Sequence, residues 1–450
     1  MKRKFIALLM VVALVGTVLS GCGKSPSSNT SSDKGSSTST PAAEDKGSDA
    51  QTEDTAQPET NADVDTIKIG SIFPITGNNA DQGVFNVDGC QFAVDQINAA
   101  GGIKALGGAK LELVSYDNMS DADQSKAAAE RLINENPDIV AVTGAASSSY
   151  VLPMLPVFEK NQIPFLTAQV SESITNQGYK YALRFGSTGG SFSEYQVKFV
   201  EWLNEEYGLN ISKIGIVYED TEWGISNTSG AVKAIEASAQ EGKGLEIVYN
   251  ESFQAGSSDL TNIVVGLKNS GCEVVFPTCY TQDAKLLFNT MQSMNYKPLI
   301  IGGGGGFLYP SFAKELGDLV DGVVSVTGHN YDIQTITNNP ELADVGEKFE
   351  AQYGYFMPEQ AVSGYGAIYL IAQALENSAS TDPTTVCEAI RGLTCSSTTP
   401  GGAVSFDETG SNNSAHAVIV QWQKGDDGVY RTRSVFPDTE AGVEFQKTED

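Results

Sequence analysis

Small polar residues follow two consecutive apolar segments in the first half of the chain. Gly144 and the three serines 147–149 come shortly after the apolar segment 139–143, and residues 167–171 (Thr-Ala-Gln-Val-Ser) end the next one. If both segments are parallel strands, their carboxyl ends meet at one sheet edge, where helix N-termini present free N–H groups. Hydroxyl and N–H groups together can hold a carboxylate. For the first cluster alone, helix capping by one serine is the alternative, and the second cluster favours binding.

Residues for catalysis or metal binding are scarce. The two histidines, His329 and His416, leave little for a Ser-His-Asp triad or a histidine metal site. No Cys and His residues share metal-ligand spacing, and no Gly-x-Ser-x-Gly elbow occurs. Five glycines at 302–306 follow an apolar segment, but the dinucleotide fingerprint needs a small residue where Phe307 stands. We therefore expect no enzyme activity, metal or cofactor. We interpret the glycine run as a loop in which the backbone must approach a ligand or a hinge closely.

The charge of the chain argues against one class of partner. Asp plus Glu number 56 against 28 Lys plus Arg, which gives a net charge of −28. A phosphate backbone would repel such a chain, so we expect no nucleic-acid binding. With 450 residues, 40% hydrophobic and 19% charged, the composition is globular and the length fits about two or three domains.

Short β-branched strands alternate with amphipathic helices from Thr66 onward. This alternation predicts a mostly parallel, doubly wound α/β sheet, and because it resumes after about residue 189 we expect two similar lobes. Strands are predicted at 67–72, 111–116, 139–143, 214–218, 245–249, 274–278, 299–301 and 323–326, and helices of the second lobe near 192–207, 223–240, 258–269 and 282–294.

The last third of the chain breaks this pattern. Helices are predicted near 341–353 and 360–377, and residues 403–410 are predicted to form a hairpin with 417–422. We interpret this part as the chain returning to lobes that are already built.

The cysteines of the folded part give three expectations. Cys90 lies on an apolar helix stripe and is predicted to be a buried thiol. Cys272 and Cys279 flank one strand, so they lie about 23 Å apart and cannot pair. Cys387 and Cys395 are separated by a helix end and a turn, which predicts a disulfide.

Residues 1–22 have the features of an export signal. Basic residues at 2–4 precede an apolar run at 5–19 that is too short for a transmembrane helix, and Leu-Ser-Gly-Cys ends at Cys22. This ending resembles the bacterial lipobox, whose cysteine is diacylated; an ordinary signal peptide with a chance cysteine is the alternative. Residues 23–64 are polar and acidic, and they are predicted to form a disordered stalk because burial cannot offset their ordering entropy. We expect an exported protein, lipid-anchored at the outer face of the cytoplasmic membrane or facing the periplasm in a diderm.

Three segments near the start of the folded part resemble a known family. Residues 67–70 (Ile-Lys-Ile-Gly), 74–77 (Pro-Ile-Thr-Gly) and 93–103 resemble the leucine/branched-chain amino-acid-binding family, the substrate-binding proteins of ABC importers with the type I periplasmic-binding fold. The resemblance covers about residues 66–425. It implies two α/β lobes joined by three crossovers near 188, 328 and 400. Lobe 1 would comprise 66–188 plus 329–400, and lobe 2 would comprise 189–328 plus 401–450.

The resemblance also implies where a ligand binds. It assigns the carboxylate to Ser148, with Ser149 in the same cluster, and further contacts to Gln169 (through its backbone) and Ser171. It assigns an aromatic wall to Trp223, for which core packing is the alternative, and to Tyr280. Two further family positions hold unusual residues, Gln82 in place of an aromatic and Gly304 in place of the acid that binds the ammonium group.

These departures leave the ammonium half of the site open. The ring faces of Trp223 or Tyr280 could hold a cation, or one of three acidic residues could replace the missing acid: Glu194, Glu222 or Asp283. A disulfide found in some family members is missing, because Ser120 and Ser147 occupy its places.

The resulting hypothesis is a non-enzymatic, lipid-anchored binding protein that closes two lobes on an amino acid, branched-chain or apolar by first expectation, and delivers it to ABC permease subunits. Another small carboxylate or amide is the second ligand class. A receptor that signals to a sensor kinase or chemoreceptor is the rival function, since the fold alone does not separate the two.

Overall fold

The computed structural model describes residues 65–333, 339, 342–399 and 402–447. The predicted signal peptide, lipobox Cys22 and stalk lie outside the described residues. Within them, no helix is long and apolar enough to cross a membrane.

The first lobe is built on a five-stranded sheet in the order β2-β1-β3-β4-β5, and all of its neighbouring strands are parallel. The buried strands are apolar on both faces, because helices cover each side. The strands are β1 Thr66–Phe73, β2 Lys110–Asp117, β3 Ile139–Gly144, β4 Phe165–Thr167 and β5 Ala182–Arg184; the helices are α1 Ala80–Ala99, α2 Ala122–Glu135, α3 Ser148–Val151 and α4 Leu155–Asn161.

The second lobe contains a seven-stranded sheet in the order β14-β13-β10-β9-β8-β6-β7. Strands β6 to β10 are parallel, whereas β13 and β14 add an antiparallel edge. The strands are β6 Lys213–Glu219, β7 Glu246–Phe253, β8 Val274–Thr278, β9 Leu299–Gly302, β10 Val324–Thr327, β13 Val418–Lys424 and β14 Tyr430–Phe436; the helices are α5 Gly189–Tyr207, α6 Glu222–Gln240, α7 Thr261–Ser270, α8 Thr281–Ser293 and α9 Pro310–Leu316.

Between β10 and β13 the chain returns to the first lobe through α10 Val345–Tyr353, α11 Glu359–Ser378, α12 Pro383–Arg391, β11 Thr394–Thr399 and β12 Gly402–Ser405. Helix α11 packs closely along α1, and two glycines permit the approach. A Cβ added at Gly89 would stand 2.0 Å from the Ala361 carbonyl oxygen, and one at Gly364 would stand 2.2 Å from that of Asn86. These contacts fix the beginning of α11 beside the carboxyl ends of the first sheet.

The fold confirms the predicted class, two doubly wound lobes with three crossings, and corrects one pairing. The hairpin predicted for 403–410 with 417–422 is wrong, because β12 pairs with β11 and β13 pairs with β10 and β14. Alternating patterns identify a strand but not its partner. Residues 410–412 still bond to β5 and to the residue after it, so the third crossing follows them, later than the predicted position near 400.

The predicted disulfide is also wrong. Cys387 carries a free, buried thiol that donates to the Lys180 carbonyl, and burial raises the pKa of this thiol to about 11. The side chain of Cys395 lies outside the described residues. Cys90 is fully buried in the core of the first lobe, as predicted, and Cys272 and Cys279 are free thiols.

Candidate functional site

A narrow cavity of about 40 Å³ lies between the carboxyl ends of the two sheets. Both lobes line it, together with the segment that returns from the second lobe to the first. The lining residues are Gln82, Ala146, Ala168, Gln169, Val170, Ser187, Phe192, Trp223, Tyr280, Gly305, Tyr309, Gly328, His329, Glu359, Gln360 and Ser363.

Two aromatic side chains from the second lobe form one wall of the cavity. The rings of Trp223 and Tyr280 lie 4.6 Å apart between centroids and are inclined by 40°. Trp223 follows the N-cap Thr221, whose side chain accepts from the Gly224 N–H, so the start of α6 fixes the position of its ring. Both residues that sequence reasoning assigned to an aromatic wall therefore face the same space.

The glycine run makes room for this wall. Gly305 has a φ of +57°, and a Cβ there would stand 2.3 Å from the Trp223 ring. A Cβ on Gly306 would stand 2.6 Å from the Tyr280 backbone. The backbone of this loop does lie close to another group, but that group is the aromatic pair and not the ligand or hinge expected from the sequence.

A buried carboxylate accepts a hydrogen bond from the backbone of Tyr280. Glu219, at the end of β6, accepts from the Tyr280 N–H at 3.1 Å and from the Thr221 hydroxyl at 2.8 Å. Burial raises the pKa of Glu219 to about 7, and these two hydrogen bonds oppose that rise. The Tyr280 side chain also bonds to Ser147, so it joins the second lobe to the first.

The predicted serines lie beside the cavity without lining it. Ser148 is fully buried, and its Oγ accepts from the Ser171 N–H at 3.3 Å. Ser171 in turn donates to the Glu222 carboxylate at 2.8 Å. Ser149 and Gly304 are likewise absent from the lining, whereas Gln82 and Gln169 belong to it. The carboxylate role of the serine cluster stays a prediction.

Hydrogen bonds close the two lobes on either side of the cavity. On one side Glu222, the first residue of α6, accepts from both Ser171 and Ser173 of the first lobe, at 2.8 and 2.9 Å. On the other side Ser311 of α9 donates to Asp81 of α1 at 2.8 Å. A wider groove of about 860 Å³ lies outside the first of these closures, between the loop that follows β4 and helices α5 and α6.

The cavity has a polar side that sequence reasoning missed. Glu359 begins α11, and its Oε1 accepts the Gly328 N–H at 2.9 Å. Burial raises the pKa of Glu359 to about 7. The sequence places this residue at the start of a predicted helix, where an acidic residue is common, so nothing marked it as part of a site. The three acids considered as ammonium partners, Glu194, Glu222 and Asp283, do not line the cavity.

Several buried polar atoms on this side have no hydrogen-bond partner among the described residues. They are both amide atoms of Gln82, both ring nitrogens of His329, the Tyr309 hydroxyl and the Gln360 Oε1. All four side chains are at most 8% exposed. Since buried polar groups are normally paired, this cluster points to a polar ligand. Burial lowers the pKa of His329 to about 4, so its ring is neutral near pH 7. No group of acidic, His and Cys residues that could hold a metal ion occurs within 65–447 as far as described.

Comparison with known proteins identifies the family. Residues 66–427 match the family described as periplasmic binding protein. The Leu/Ile/Val-binding protein homolog 8 of Brucella abortus is 31% identical over 369 residues, which cover 80% of this chain and 89% of the relative. The chain belongs to the Leu/Ile/Val-binding family of periplasmic binding proteins. A second relative from the same organism, the Leu/Ile/Val-binding protein homolog 7, is 28% identical over 396 residues, which cover 84% of this chain and 94% of the relative.

Solved structures of this periplasmic-binding fold superpose on the chain. One is the branched-chain amino acid transporter substrate-binding protein LivJ of Streptococcus pneumoniae in complex with isoleucine (TM-score 0.68, 21% identity, 82% of this chain and 100% of that chain). Another is a solute-binding protein of an ABC transporter from Rhodopseudomonas palustris in complex with 3,4-dihydroxybenzoic acid (TM-score 0.69, 19% identity, 85% and 99%). At these identities the likeness shows the fold, and the fold serves ligands of different chemistry.

Proposed function

We propose that this family member captures an amino acid outside the cytoplasm by closing its two lobes and delivers it to the permease of an ABC importer. The observation that carries the proposal is the cavity at the strand ends, which residues of both lobes line together. A ligand in that position contacts both lobes only when they are closed. Binding therefore stabilises the closed arrangement through these differential contacts.

The ligand enters when the lobes separate, because residues of both lobes surround the cavity in the closed arrangement. Separation breaks the bonds of Glu222 to Ser171 and Ser173 and that of Ser311 to Asp81. It also exposes the loop before α3, where Ser148, Ser149 and the Gln169 backbone are the proposed carboxylate contacts. A permease would read the closed surface, on which these bonds are made.

Trp223 and Tyr280 are the proposed contacts of the ligand side chain. Two inclined rings offer a flat apolar surface, which suits a branched-chain or apolar amino acid. Another small carboxylate or an amide is the second ligand class. A receptor that binds such a ligand and signals to a sensor kinase or chemoreceptor is the alternative function.

We further propose that the chain is exported and tethered to the membrane through a lipid on Cys22, with residues 23–64 as the spacer. Metabolic labelling with a palmitate analogue tests the anchor. Wild-type chain should carry the label and Cys22→Ala should not.

A thermal-shift screen of the twenty amino acids and of small carboxylates tests the binding function. A ligand at 100 times its Kd adds about 2.7 kcal/mol of stability, which raises the Tm measurably. We expect Trp223→Ala to weaken the best amino acid by about tenfold or more, or about 1.4 kcal/mol. Trp202→Ala is the matched control, since Trp202 packs against Phe199 and Phe436 away from the cavity. An unchanged Kd in Trp223→Ala would remove the aromatic wall from the site, and turnover of a bound compound would contradict a pure binding role.

A further inference from the structure

The polar side of the cavity contains one carboxylate and no lysine or arginine. Among the described lining residues only Glu359, His329, Tyr280 and Tyr309 can titrate, and none is lysine or arginine. Burial holds the pKa of both tyrosines well above the usual value, and His329 is neutral. Near pH 7 Glu359 is thus the lining residue that can bring charge to a ligand.

The position of Glu359 favours its ionised form only in part. Its carboxylate stands at the N-terminus of the long helix α11 and accepts the Gly328 N–H, and both features stabilise negative charge. Burial opposes them and dominates, which leaves the pKa at about 7. A cation placed against the carboxylate would complete its ionisation.

Acceptor atoms without partners lie on the same cavity. The Gln82 Oε1 and the Gln360 Oε1 are buried and unpaired in the described structure. The neutral imidazole of His329 offers one further acceptor nitrogen. An ammonium group has three N–H donors, so one carboxylate and two amide oxygens match its requirements. An aliphatic group in this place would leave every one of these atoms unsatisfied.

We infer that Glu359 binds the ammonium group of the ligand, with the amide oxygens of Gln82 and Gln360 as its further acceptors. The inference rests on the proposed function and narrows it. The ligand is an amino acid or another amine-bearing small carboxylate, and neither a neutral amide nor a plain carboxylic acid. Glu359 thereby takes the role that Gly304 cannot fill, from the opposite lobe.

Matched ligand pairs test the role of Glu359 in the full-length chain. Each amino acid that binds is compared by calorimetry with the same compound lacking the amino group, such as L-leucine with 4-methylpentanoate or L-glutamine with 4-carbamoylbutanoate. We expect the wild type to prefer the amine by about tenfold to a hundredfold, as for a charged hydrogen bond. Glu359→Gln keeps an acceptor for Gly328 and should reduce this preference to about threefold or less. Glu388→Gln should keep the preference, because Glu388 is an exposed residue of α12 that pairs with Lys180 away from the cavity.

The outcomes separate the two claims. If no amino acid binds the wild type, the proposed function and this inference both fail. If an amino acid binds and Glu359→Gln retains the full preference for the amine, the inference is overturned and the proposed function stands.

Should Glu359→Gln not fold, the wild type itself answers. Of the titratable groups that face Glu359, namely His329, Tyr309 and Tyr280, none changes charge between pH 6 and 8. Glu219, behind Tyr280, also has a pKa raised to about 7, so the comparison is made in Glu219→Gln as well as in the wild type. The preference for the amine should be larger at pH 8 than at pH 6 in both, and equal preferences at the two pH values in Glu219→Gln would overturn the inference.

Discussion

Replacing Gly305 by alanine should displace the Trp223 ring and so test whether the glycine run exists to seat the aromatic wall. The new Cβ would stand 2.3 Å from the ring, well inside normal contact, and the backbone at a φ of +57° already disfavours a side chain. The left-handed conformation costs about 1–2 kcal/mol, and overpacking adds about 1–3 kcal/mol. We expect a loss of about 2–5 kcal/mol in the free energy of unfolding, and weaker binding of the best amino acid.

Gly208→Ala is the matched control for this prediction. Gly208 has a φ of +63°, and an added Cβ would have nothing within 4 Å, so only the conformational cost of about 1–2 kcal/mol applies. Urea denaturation gives the two free energies, and calorimetry gives the two ligand affinities. The explanation of the glycine run is refuted if both variants lose equal stability and both bind the amino acid as the wild type does.

Two further perturbations follow from the closed lobes and from the buried carboxylate behind Tyr280. Glu222→Ala removes the acceptor of two hydroxyl hydrogen bonds between the lobes, so the closed state should lose about 1–3 kcal/mol. Small-angle scattering should then show a larger radius of gyration, and an unchanged value would contradict the role of Glu222 in closure. The pKa of Glu219 is raised to about 7, so the folded state keeps a proton that the unfolded state releases above pH 4.5. The contribution of Glu219 to the free energy of unfolding should therefore fall by about 3 kcal/mol between pH 4.5 and 7. The pKa of His329 is lowered to about 4, so its effect on stability has the opposite sign between pH 4 and pH 6.5. Urea denaturation of wild type and of Glu219→Gln at each pH isolates the contribution of Glu219 as the difference between the two free energies of unfolding. A difference that stays constant with pH would contradict the raised pKa of Glu219.

Most of the fold could be predicted from the segments with regular hydrophobic periodicity. Parallel strands such as β3 and β8 are short apolar runs between amphipathic helices, and that local pattern suffices to identify them. Pairing across the return segment could not be read in the same way. The partners of β13 are β10 and β14 of the same sheet, and the choice of β10 depends on contacts between segments that are distant in sequence.

The residues that line the cavity also differ in whether local sequence or long-range packing places them there. Trp223, Tyr280, Gln169 and Gln82 line the cavity, and the sequence could point to them because each occupies a position that the family resemblance assigns to the ligand. It could not point to Glu359, because this residue reaches the cavity only through the packing of α11 on α1, which the glycine contacts permit and no motif announces.

The polar side of the cavity also bears on how the two lobes choose between open and closed arrangements. Closing them buries amide, imidazole and hydroxyl groups that have no partner among the described residues, and each such group costs about 1–3 kcal/mol. The hydroxyl bonds to Glu222 and Asp81 offset part of that cost. A ligand that satisfies the buried atoms removes the rest. Its hydrogen bonds to those atoms thus supply the differential free energy that shifts the population toward the closed form, and the cost of closing is subtracted from the affinity that is measured.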